Sequence, residues 1–519
     1  MIIGLWNSRA PTPGTSRSVD RLEITLSHFA LAGVAFAGLI FFYGSIYSVH
    51  HDLAGGVLTA RLAVTLGSSF EDFSSYFPPA ERAWFSLAVW FSQLTRLSLP
   101  IAVVIMTATA VLFSAGLGYQ IRRETAGASV VFLIAPAAIF IVLPIVFKNV
   151  FGLREHLVML GIWPYLVLRI SDPDGKLIAG RTRIIVGLWL GATLLMKYLY
   201  SVIVLLVELV DAAIKRRPLL LFRIENLISG AIVAIYLLVW LVLDPAQREA
   251  IGVIVNAIDA NLTDQTTNLQ QAAISMSLAA FFVAIAFVFK VPARQTLIGL
   301  AVVSGTVIAA WIQSRWYSHH LFPVTAAYVA WLWIVHRDVK AIWLVGIAVV
   351  LLRPIGGELL STTPYQKGVT ELDQAMEAAG FSVEGKRVGV LIMNPSPVSQ
   401  YLAANGAWRW NASVNNSYVA AELEPFDTPE NAALVPPPLT FEEPGREILH
   451  DEFLRLWEDM PPDALILDQT TSWPLRHVIV DWTHVFSNDP RFNALLAQYR
   501  PVLEHKGEYV RFRYYVRKD

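Results

Sequence analysis

Two short stretches rich in cations stand between long apolar runs of this chain, at residues 148–156 (KNVFGLREH) and 314–320 (SRWYSHH). The outer loops of helical membrane proteins are normally poor in Lys and Arg. Because cations are costly to hold at the mouth of a helical bundle, these stretches predict an anionic ligand there. Besides acids, the ionisable residues expected on this side include Lys148, Arg154 and His156 in the first stretch, Lys197 between two later apolar runs, and Arg315, His319 and His320 in the second stretch.

A carboxylate in the first outer loop is placed to act as a general base. Asp52 follows the first apolar run by about one or two helical turns. Beside cations at a lipid surface, such a base would take a proton from an acceptor hydroxyl while the cations neutralise the phosphate that leaves a lipid-linked sugar. An Asp also suits the cap of a helix that begins at Leu53, and the two roles are compatible.

Other outer-side residues have two interpretations each. Glu71 and Asp72 could belong with the outer-side charges of the site, while a solvated turn before Pro78 is their more ordinary role. Trp316 and Tyr317 are candidates for contact with a sugar or lipid, or for an aromatic belt at the membrane interface.

The histidines predict no metal centre. Consecutive ligands are poor geometry for a chelate, which argues against a metal at His50, His51 and Asp52. Adjacent histidines on a helix point in different directions, so only one of His319 and His320 is expected to face the site. No cofactor is predicted, and the participation of a divalent cation is left open.

The composition indicates a membrane protein that crosses the bilayer many times. The chain of 519 residues is 55% hydrophobic and 16% charged, with a mean hydropathy of +0.51, whereas soluble domains carry about 25% charged residues. The absence of cysteine excludes disulfides and thiolate chemistry. A net charge of −1 conceals cations in alternate loops and acids in a C-terminal tail, so it says little about partners.

Apolar runs compared with the roughly 20 residues that cross a bilayer predict about eleven transmembrane helices. The runs lie at residues 26–45, 97–117, 130–147, 157–170, 184–196, 198–210, 227–243, 272–289, 296–312, 321–335 and 341–352. Residues 184–210 are taken as two short helices with Lys197 at their outer turn. A single helix there would reverse the orientation of everything that follows.

The intervening cations then fall on one side, which is the cytoplasmic side. They are Arg122 and Arg123; Lys176, Arg181 and Arg183; Lys215, Arg216, Arg217 and Arg223; Lys290 and Arg294; and Arg337 and Lys340. With this orientation the outer loop at residues 49–96 carries two interfacial helices, and the chain from residue 353 onward is extracytoplasmic.

The predicted fold class is therefore a polytopic α-helical membrane domain, residues 1–352, followed by an extracytoplasmic α/β domain, residues 353–519. In the second domain the pattern predicts helices at 368–379, 396–404, 448–460 and 490–499, strands at 387–393, 464–467 and 509–516, and a Pro-rich loop at 424–445.

Three motifs resemble the GT-C superfamily of integral-membrane glycosyltransferases, which use polyprenyl-phosphate sugars. FGLREHLVMLGIWPYLVL (residues 151–168) resembles the FGQREH signature of a bacterial branch, LMKYLYSVIVLLVEL (195–209) is similar to its K-P…E span, and SRWYSHHLFP to its W-x-YH-x-x-P motif. Leu153 replaces the usual Gln, and Tyr198 the usual Pro. The resemblance implies Asp52 as the base. It also implies that the residues near the donor phosphate are Lys148, Arg154, His156, Lys197, Arg315 and His320. Many relatives show an acidic pair where this chain has a single Asp, which leaves Glu71 or Asp72 open as a second acid or as the base.

The expected function is inverting transfer of a sugar from a polyprenyl-phosphate donor to an extracytoplasmic glycan or lipid, with no nucleic-acid partner. The expected location is the bacterial inner membrane, with a periplasmic C-terminal domain. One rival is an O-antigen ligase or polymerase, which can rely on Arg and His without a first-loop carboxylate. Another is a flippase for lipid-linked oligosaccharides, which should carry charges inside its spans. The sequence suggests few of these beyond Lys197 and Glu208.

Overall fold

The computed structural model describes residues 51–66, 79–127, 131–146, 150–242, 290–313, 318–336, 364–392, 396–405, 411–413, 422–431, 436–441, 444–470 and 477–518, with isolated positions at 273–286, 419 and 475. The predicted spans at 26–45 and 341–352, most of the predicted span at 272–289, and the domain boundary at residue 353 lie outside these ranges.

The described part of the first domain is helical. Its helices are α1 (His51–Leu66), α2 (Pro79–Thr95), α3 (Leu99–Ala126), α4 (Val131–Val146), α5 (Arg154–Ser171), α6 (Gly180–Leu194), α7 (Ser201–Lys215), α8 (Ile224–Leu237), α9 (Ala293–Gln313) and α10 (Ser318–His336). They match the predicted positions of the two outer-loop helices and of seven apolar runs between residues 97 and 335, and cover part of an eighth.

Two stretches of the described helices are long and apolar enough to cross a membrane, Leu99–Thr125 and Ala293–Gln313. Shorter apolar stretches lie at Phe132–Pro144, Ile224–Trp240 and Phe322–Val335. The membrane character of the chain thus has support from its two longest apolar helices, while the count of about eleven spans stays a prediction.

The helical path is interrupted at Lys197, as predicted. α6 ends at Leu194, a 3₁₀ turn covers Tyr198–Tyr200, and α7 follows directly. The backbone at Lys197, with φ −156° and ψ 82°, is far from helical. Residues 184–210 are therefore two helices, and the alternative of one helix is excluded.

α3 and α5 run parallel, so they place their N-terminal ends together. Ser114 Oγ donates to the Leu160 carbonyl over 2.7 Å, and two to three turns further on Arg122 Nη1 donates to Ser171 Oγ over 3.3 Å. We call the two ends of the bundle the Arg154 end and the Ser171 end, after the first and last residues of α5. They are about 25 Å apart at 1.5 Å per residue.

The sides of the bundle expose large apolar side chains. Examples are Leu188 on α6, Leu205 on α7, Ile235 on α8 and Trp311 on α9, each between 47% and 61% exposed. Apolar surface of this extent is unusual on a soluble monomer. The acyl chains of a lipid bilayer would remove this apolar surface from water.

The second domain is α/β, as predicted. Its elements are α11 (Pro364–Ala378), β1 (Val388–Leu391), α12 (Pro397–Asn405), β2 (Asn411–Ser413), α13 (Pro444–Asp459), β3 (Ala464–Asp468), α14 (Trp482–Val485), α15 (Pro490–Leu496), β4 (Tyr499–Lys506) and β5 (Arg511–Arg517). The sheet has the order β2-β1-β3-β5-β4, with β2, β1 and β3 parallel and the last two strands antiparallel. β2 and β4 were not predicted, and the helix predicted to reach residue 499 ends earlier, at Leu496.

α1 joins the two domains. Its Leu53 and Val57 lie in the apolar core of the bundle, whereas Leu58 belongs to the apolar cluster of the C-terminal sheet. α12 and β2 pack directly on α1, and α12 also reaches α3. Leu53 also adjoins Gly152, just before α5 begins. The C-terminal domain therefore sits at the Arg154 end.

Candidate functional site

A tight turn delivers Arg154 to the end of the bundle. Gly152 has φ +86°, a conformation that only glycine adopts without strain, and the Leu153 amide donates to the Val150 carbonyl over 3.0 Å. α5 then begins at Arg154. The Arg154 Nη1 atom lies 3.4 Å from Glu81 Oε2 of α2, and the Glu81 side chain is 1% exposed.

The next residue, Glu155, contacts side chains from two other segments of the bundle. Lys197 Nζ donates to Glu155 Oε1 from the turn between α6 and α7. His320 Nε2, on the first turn of α10, lies 3.9 Å from the same oxygen. Lys197 also lies 6.0 Å from the centre of the Tyr200 ring, within range of a cation–π contact. Arg154, Lys197 and His320, three of the predicted phosphate ligands, are thus brought together.

Asp52 lies on the first turn of α1, half-buried. α1 begins at His51, so Asp52 is inside the first turn and does not cap a helix that starts at Leu53. Its charge is close enough to Glu81 to affect the proton affinity of that carboxyl. The predicted base therefore belongs to the same group of residues.

Glu81 is the acid that the sequence reasoning did not identify. Burial raises its pKa to about 7, with the negative charges of Glu155 and Asp52 adding to the rise and Arg154 opposing it. Neither carboxylate oxygen accepts a hydrogen bond from the residues that the structure describes. α2 is outside the predicted spans, and its contact with Arg154 places this acid at the Arg154 end of the bundle.

A sequence signal for Glu81 did exist. Buried positions on α2 include Phe85, Ala88 and Ser92, which follow Glu81 at spacings of four, seven and eleven residues. An acid on the apolar face of a helix is more informative than one on a solvated face, because burying it is costly.

The charges of this group nearly cancel. Arg154 and Lys197 supply two positive charges, against three carboxyl groups on Asp52, Glu81 and Glu155. An entering phosphate must therefore compete with Glu81 and Glu155 for the same two cations. Protonation of an acid would favour the phosphate.

His156 is held differently from the other predicted ligands. The Gly152 amide donates to Nδ1 over 3.1 Å, and Nε2 lies 2.8 Å from the Phe140 carbonyl. The first bond makes Nδ1 the acceptor, so Nε2 carries the proton. Both ring nitrogens bind the backbone, and direct contact with a phosphate would require breaking one of these bonds. His156 fixes the turn that positions Arg154.

Several predicted site residues lie outside the described residues. They are Glu71, Asp72, Lys148, Arg315, Trp316 and Tyr317. Their roles in acid catalysis, phosphate binding and sugar or lipid contact stay predictions.

A second group of buried charges occupies the Ser171 end, where Arg169 of the predicted span at 157–170 is one more charge beside Lys197 and Glu208. Arg169 of α5 pairs with Glu208 of α7 and, over 2.5 Å, with Glu225 of α8. Glu225 also pairs with Arg183 over 2.8 Å. Asp211 accepts from Arg294 of α9 over 2.8 Å. These pairs clamp five helices together.

No protein-family model matches this chain, and no curated protein matches it by sequence.

Proposed function

We propose that this chain is an inverting glycosyltransferase, which moves a sugar from a polyprenyl-phosphate donor to an extracytoplasmic glycan or lipid. The observation that carries the proposal is the convergence of Arg154, Lys197 and His320 with Asp52 and Glu81 at one end of an apolar bundle. These residues come from five separate segments. Cations and acids in one place at the end of membrane helices suit a reaction that releases a lipid-borne phosphate.

In this proposal the donor phosphate takes Arg154 and Lys197 as its partners. Their present partners, Glu81 and Glu155, are displaced or protonated when the donor arrives. Lys148 and Arg315, which the sequence places in the two cationic stretches, would add positive charge at the same end.

Asp52 acts as the base in this scheme. It removes the proton from the acceptor hydroxyl as that oxygen attacks the sugar from the face opposite the phosphate, which inverts the anomeric centre. Glu81 then fills the place of the second acid for which Glu71 and Asp72 were candidates. Its pKa of about 7 keeps it partly neutral near neutrality, so Arg154 is partly free for the phosphate.

The proposed location is the bacterial inner membrane, with about eleven spans and a periplasmic C-terminal domain. Two observations support it. Arg122, Arg183 and Lys215, predicted to be cytoplasmic, lie at the Ser171 end, while the C-terminal domain lies at the Arg154 end. The bundle sides between them are apolar and exposed.

The test uses the full chain reconstituted in nanodiscs with a panel of polyprenyl-phosphate sugars, and measures transfer and donor hydrolysis by mass spectrometry. Asp52→Asn is expected to slow transfer by about 10²–10⁴-fold and to leave the donor dissociation constant nearly unchanged. Lys148→Ala and Arg315→Ala are expected to weaken donor binding instead. Asp459→Asn, a 58% exposed carboxylate on α13, is the matched control.

Normal turnover of the Asp52→Asn variant on an active donor would remove the base from this mechanism and favour the ligase or polymerase. The charge group at the Ser171 end keeps a flippase as the second candidate, since buried charges are typical of transporters. Transfer of a fluorescent lipid-linked oligosaccharide across proteoliposomes, with its glycan unchanged, would favour that candidate.

A further inference from the structure

The loops at the Ser171 end are folded into one unit. The Asp172 carboxylate accepts from the backbone amides of Lys176, Leu177 and Ile178 over 2.9, 3.1 and 2.9 Å. The loop between α5 and α6 is therefore wrapped around one buried acid.

The loop between α7 and α8 is fastened to the first. Lys215 Nζ and Arg223 Nη2 both donate to the Pro173 carbonyl, the latter over 2.5 Å. Arg216 ends α7 with φ +54°, and this turn leads the chain into a 3₁₀ segment at Pro218–Phe222. The two loops thus lie side by side.

The exposed surface of these two loops combines cations with apolar side chains. Lys176, Arg181, Arg216 and Arg217 are all exposed. None of the four has a carboxylate within ion-pair distance among the described residues, although acids in the interior pair with Arg169, Arg183 and Arg223.

Leu219 and Phe222, in the same loop, are 79% and 64% exposed. They continue the apolar sides of α6 and α8, where Leu188 and Leu227 are also exposed. Cations next to exposed apolar side chains, at the level where the apolar sides of a bundle end, match the border between phosphate headgroups and acyl chains.

We propose that this surface, the basic patch (Lys176, Arg181, Arg216, Arg217, Leu219 and Phe222), binds the phosphate headgroups of anionic phospholipids. The four cations receive the phosphodiesters, while Leu219 and Phe222 enter the acyl layer beneath them. A solvated basic loop would not need the apolar pair, and a neutral bilayer would not need the cations. The patch is at the opposite end of α5 from Asp52 and does not rest on the proposed function.

The test measures lipid binding, not sugar transfer. Phosphatidylglycerol or phosphatidylcholine is titrated into the full chain in detergent micelles, and bound lipids are counted by native mass spectrometry. Each cation near an anionic surface contributes roughly a five-fold preference at low salt. The variant Lys176→Gln/Arg181→Gln/Arg216→Gln/Arg217→Gln is expected to lose at least ten-fold of the preference for phosphatidylglycerol.

The matched control removes the same charge elsewhere. Arg96→Gln/Arg500→Gln/Lys506→Gln/Arg511→Gln changes four exposed cations outside the patch and is expected to keep the wild-type preference. The pair variant Arg216→Gln/Arg217→Gln, which leaves the first loop unchanged, is expected to lose an intermediate part. Melting temperatures in phosphatidylcholine show whether each variant is folded.

Three outcomes would overturn the proposal. The wild-type chain could bind both lipids equally, or a folded patch variant could keep its preference for phosphatidylglycerol. Alternatively, polyglutamate could displace the bound phosphatidylglycerol while added salt of equal ionic strength does not, which would point to an acidic protein segment as the partner.

Discussion

Glu81 and Arg154 form an ion pair, with 3.4 Å between Oε2 and Nη1, that ties α2 to the first turn of α5. Only 1% of the Glu81 side chain and 13% of the Arg154 side chain are exposed. A pair this hidden from water is costly to break by removing one partner. It also means that Arg154 is compensated before any ligand binds.

The Glu81 pair makes donor binding depend on pH. Because the pKa of Glu81 is raised to about 7, Glu81 is mainly neutral below pH 7 and mainly ionised above it. The ionised form holds Arg154 and repels a phosphate, so the donor dissociation constant of the wild-type chain should rise about ten-fold from pH 6 to pH 8. Equilibrium binding of a polyprenyl-phosphate sugar measures it.

Glu81→Gln should bind the donor with nearly the same affinity at both pH values, and more tightly than wild type at pH 8. Glu504→Gln, a 45% exposed carboxylate on β4, should behave as wild type. A steep pH dependence that persists in Glu81→Gln would show that another group controls it.

The Lys197–Glu155 pair should separate stability from binding. Lys197→Met removes the Nζ donor from the buried Glu155 carboxylate and should lower the free energy of unfolding by about 3–5 kcal/mol. Lys197→Met/Glu155→Met removes both charges and should recover most of that loss. Donor binding should stay weak in both variants, since the phosphate has lost a cation.

The control for this pair is on the surface. Lys506→Met breaks the Lys506–Glu504 pair, whose side chains are 66% and 45% exposed, and should change stability by less than about 1 kcal/mol. If the double Lys197/Glu155 variant is as unstable as Lys197→Met, then side-chain packing, and not the neutralisation of a buried charge, stabilises the turn at Lys197. Denaturant unfolding in detergent is the measurement.

The local sequence pattern was sufficient to predict the structure where a charged residue interrupts an apolar run. Lys197 interrupts an apolar run, and the structure breaks the helix there. Arg154, Lys197 and His320 were predicted to meet because each follows or precedes an apolar run on the same side. These are one-dimensional features, so a sequence displays them.

Other features required three dimensions. Strand β4 contains Pro501 and four charged or His residues at a sheet edge, where pairing with β5 and not apolar pattern defines the strand. Arg169 lies within an otherwise apolar run, and its partners Glu208 and Glu225 on two other helices explain it. The contact of Leu58 with the C-terminal sheet depends on packing between domains.

Helix packing beside the site gives a steric prediction. A Cβ at Gly161 of α5 would lie 1.8 Å from Thr193 Oγ1 of α6 and 3.3 Å from the Leu190 Cα. Gly161→Ala should therefore force the helices apart and lower the free energy of unfolding by about 1–3 kcal/mol. Thr193→Ala should relieve part of that loss when combined with it.

Gly116 of α3 is the matched control, since a Cβ there meets no atom of the described residues within 4 Å. Gly116→Ala should leave stability unchanged or raise it by up to about 1 kcal/mol through the helix preference of Ala. Equal loss in both variants would show that glycine is needed for another reason than close packing. Thermal unfolding in one detergent compares them.

The C-terminal domain carries a buried acid whose effect on stability has a defined sign. Asp468, at the end of β3, accepts from Ser396 Oγ over 2.5 Å and from the Thr470 amide over 2.9 Å. Burial nevertheless raises its pKa to about 6, above the value of about 3.9 in an unfolded chain. The native state therefore binds the proton more tightly, and stability from this group falls as the pH rises from about 4 to 6.

The difference between Asp468→Asn and wild type isolates this effect, because burial lowers the pKa of His450 and gives a slope of opposite sign in the same range. Relative to wild type, the variant should gain about 2 kcal/mol between pH 4 and pH 6.5 and little more above it. Asp459→Asn, exposed on α13, should track wild type throughout. A difference that does not change with pH would show that the pKa of Asp468 is the same in the folded and unfolded chains, so that the hydrogen bonds from Ser396 and Thr470 offset the effect of burial.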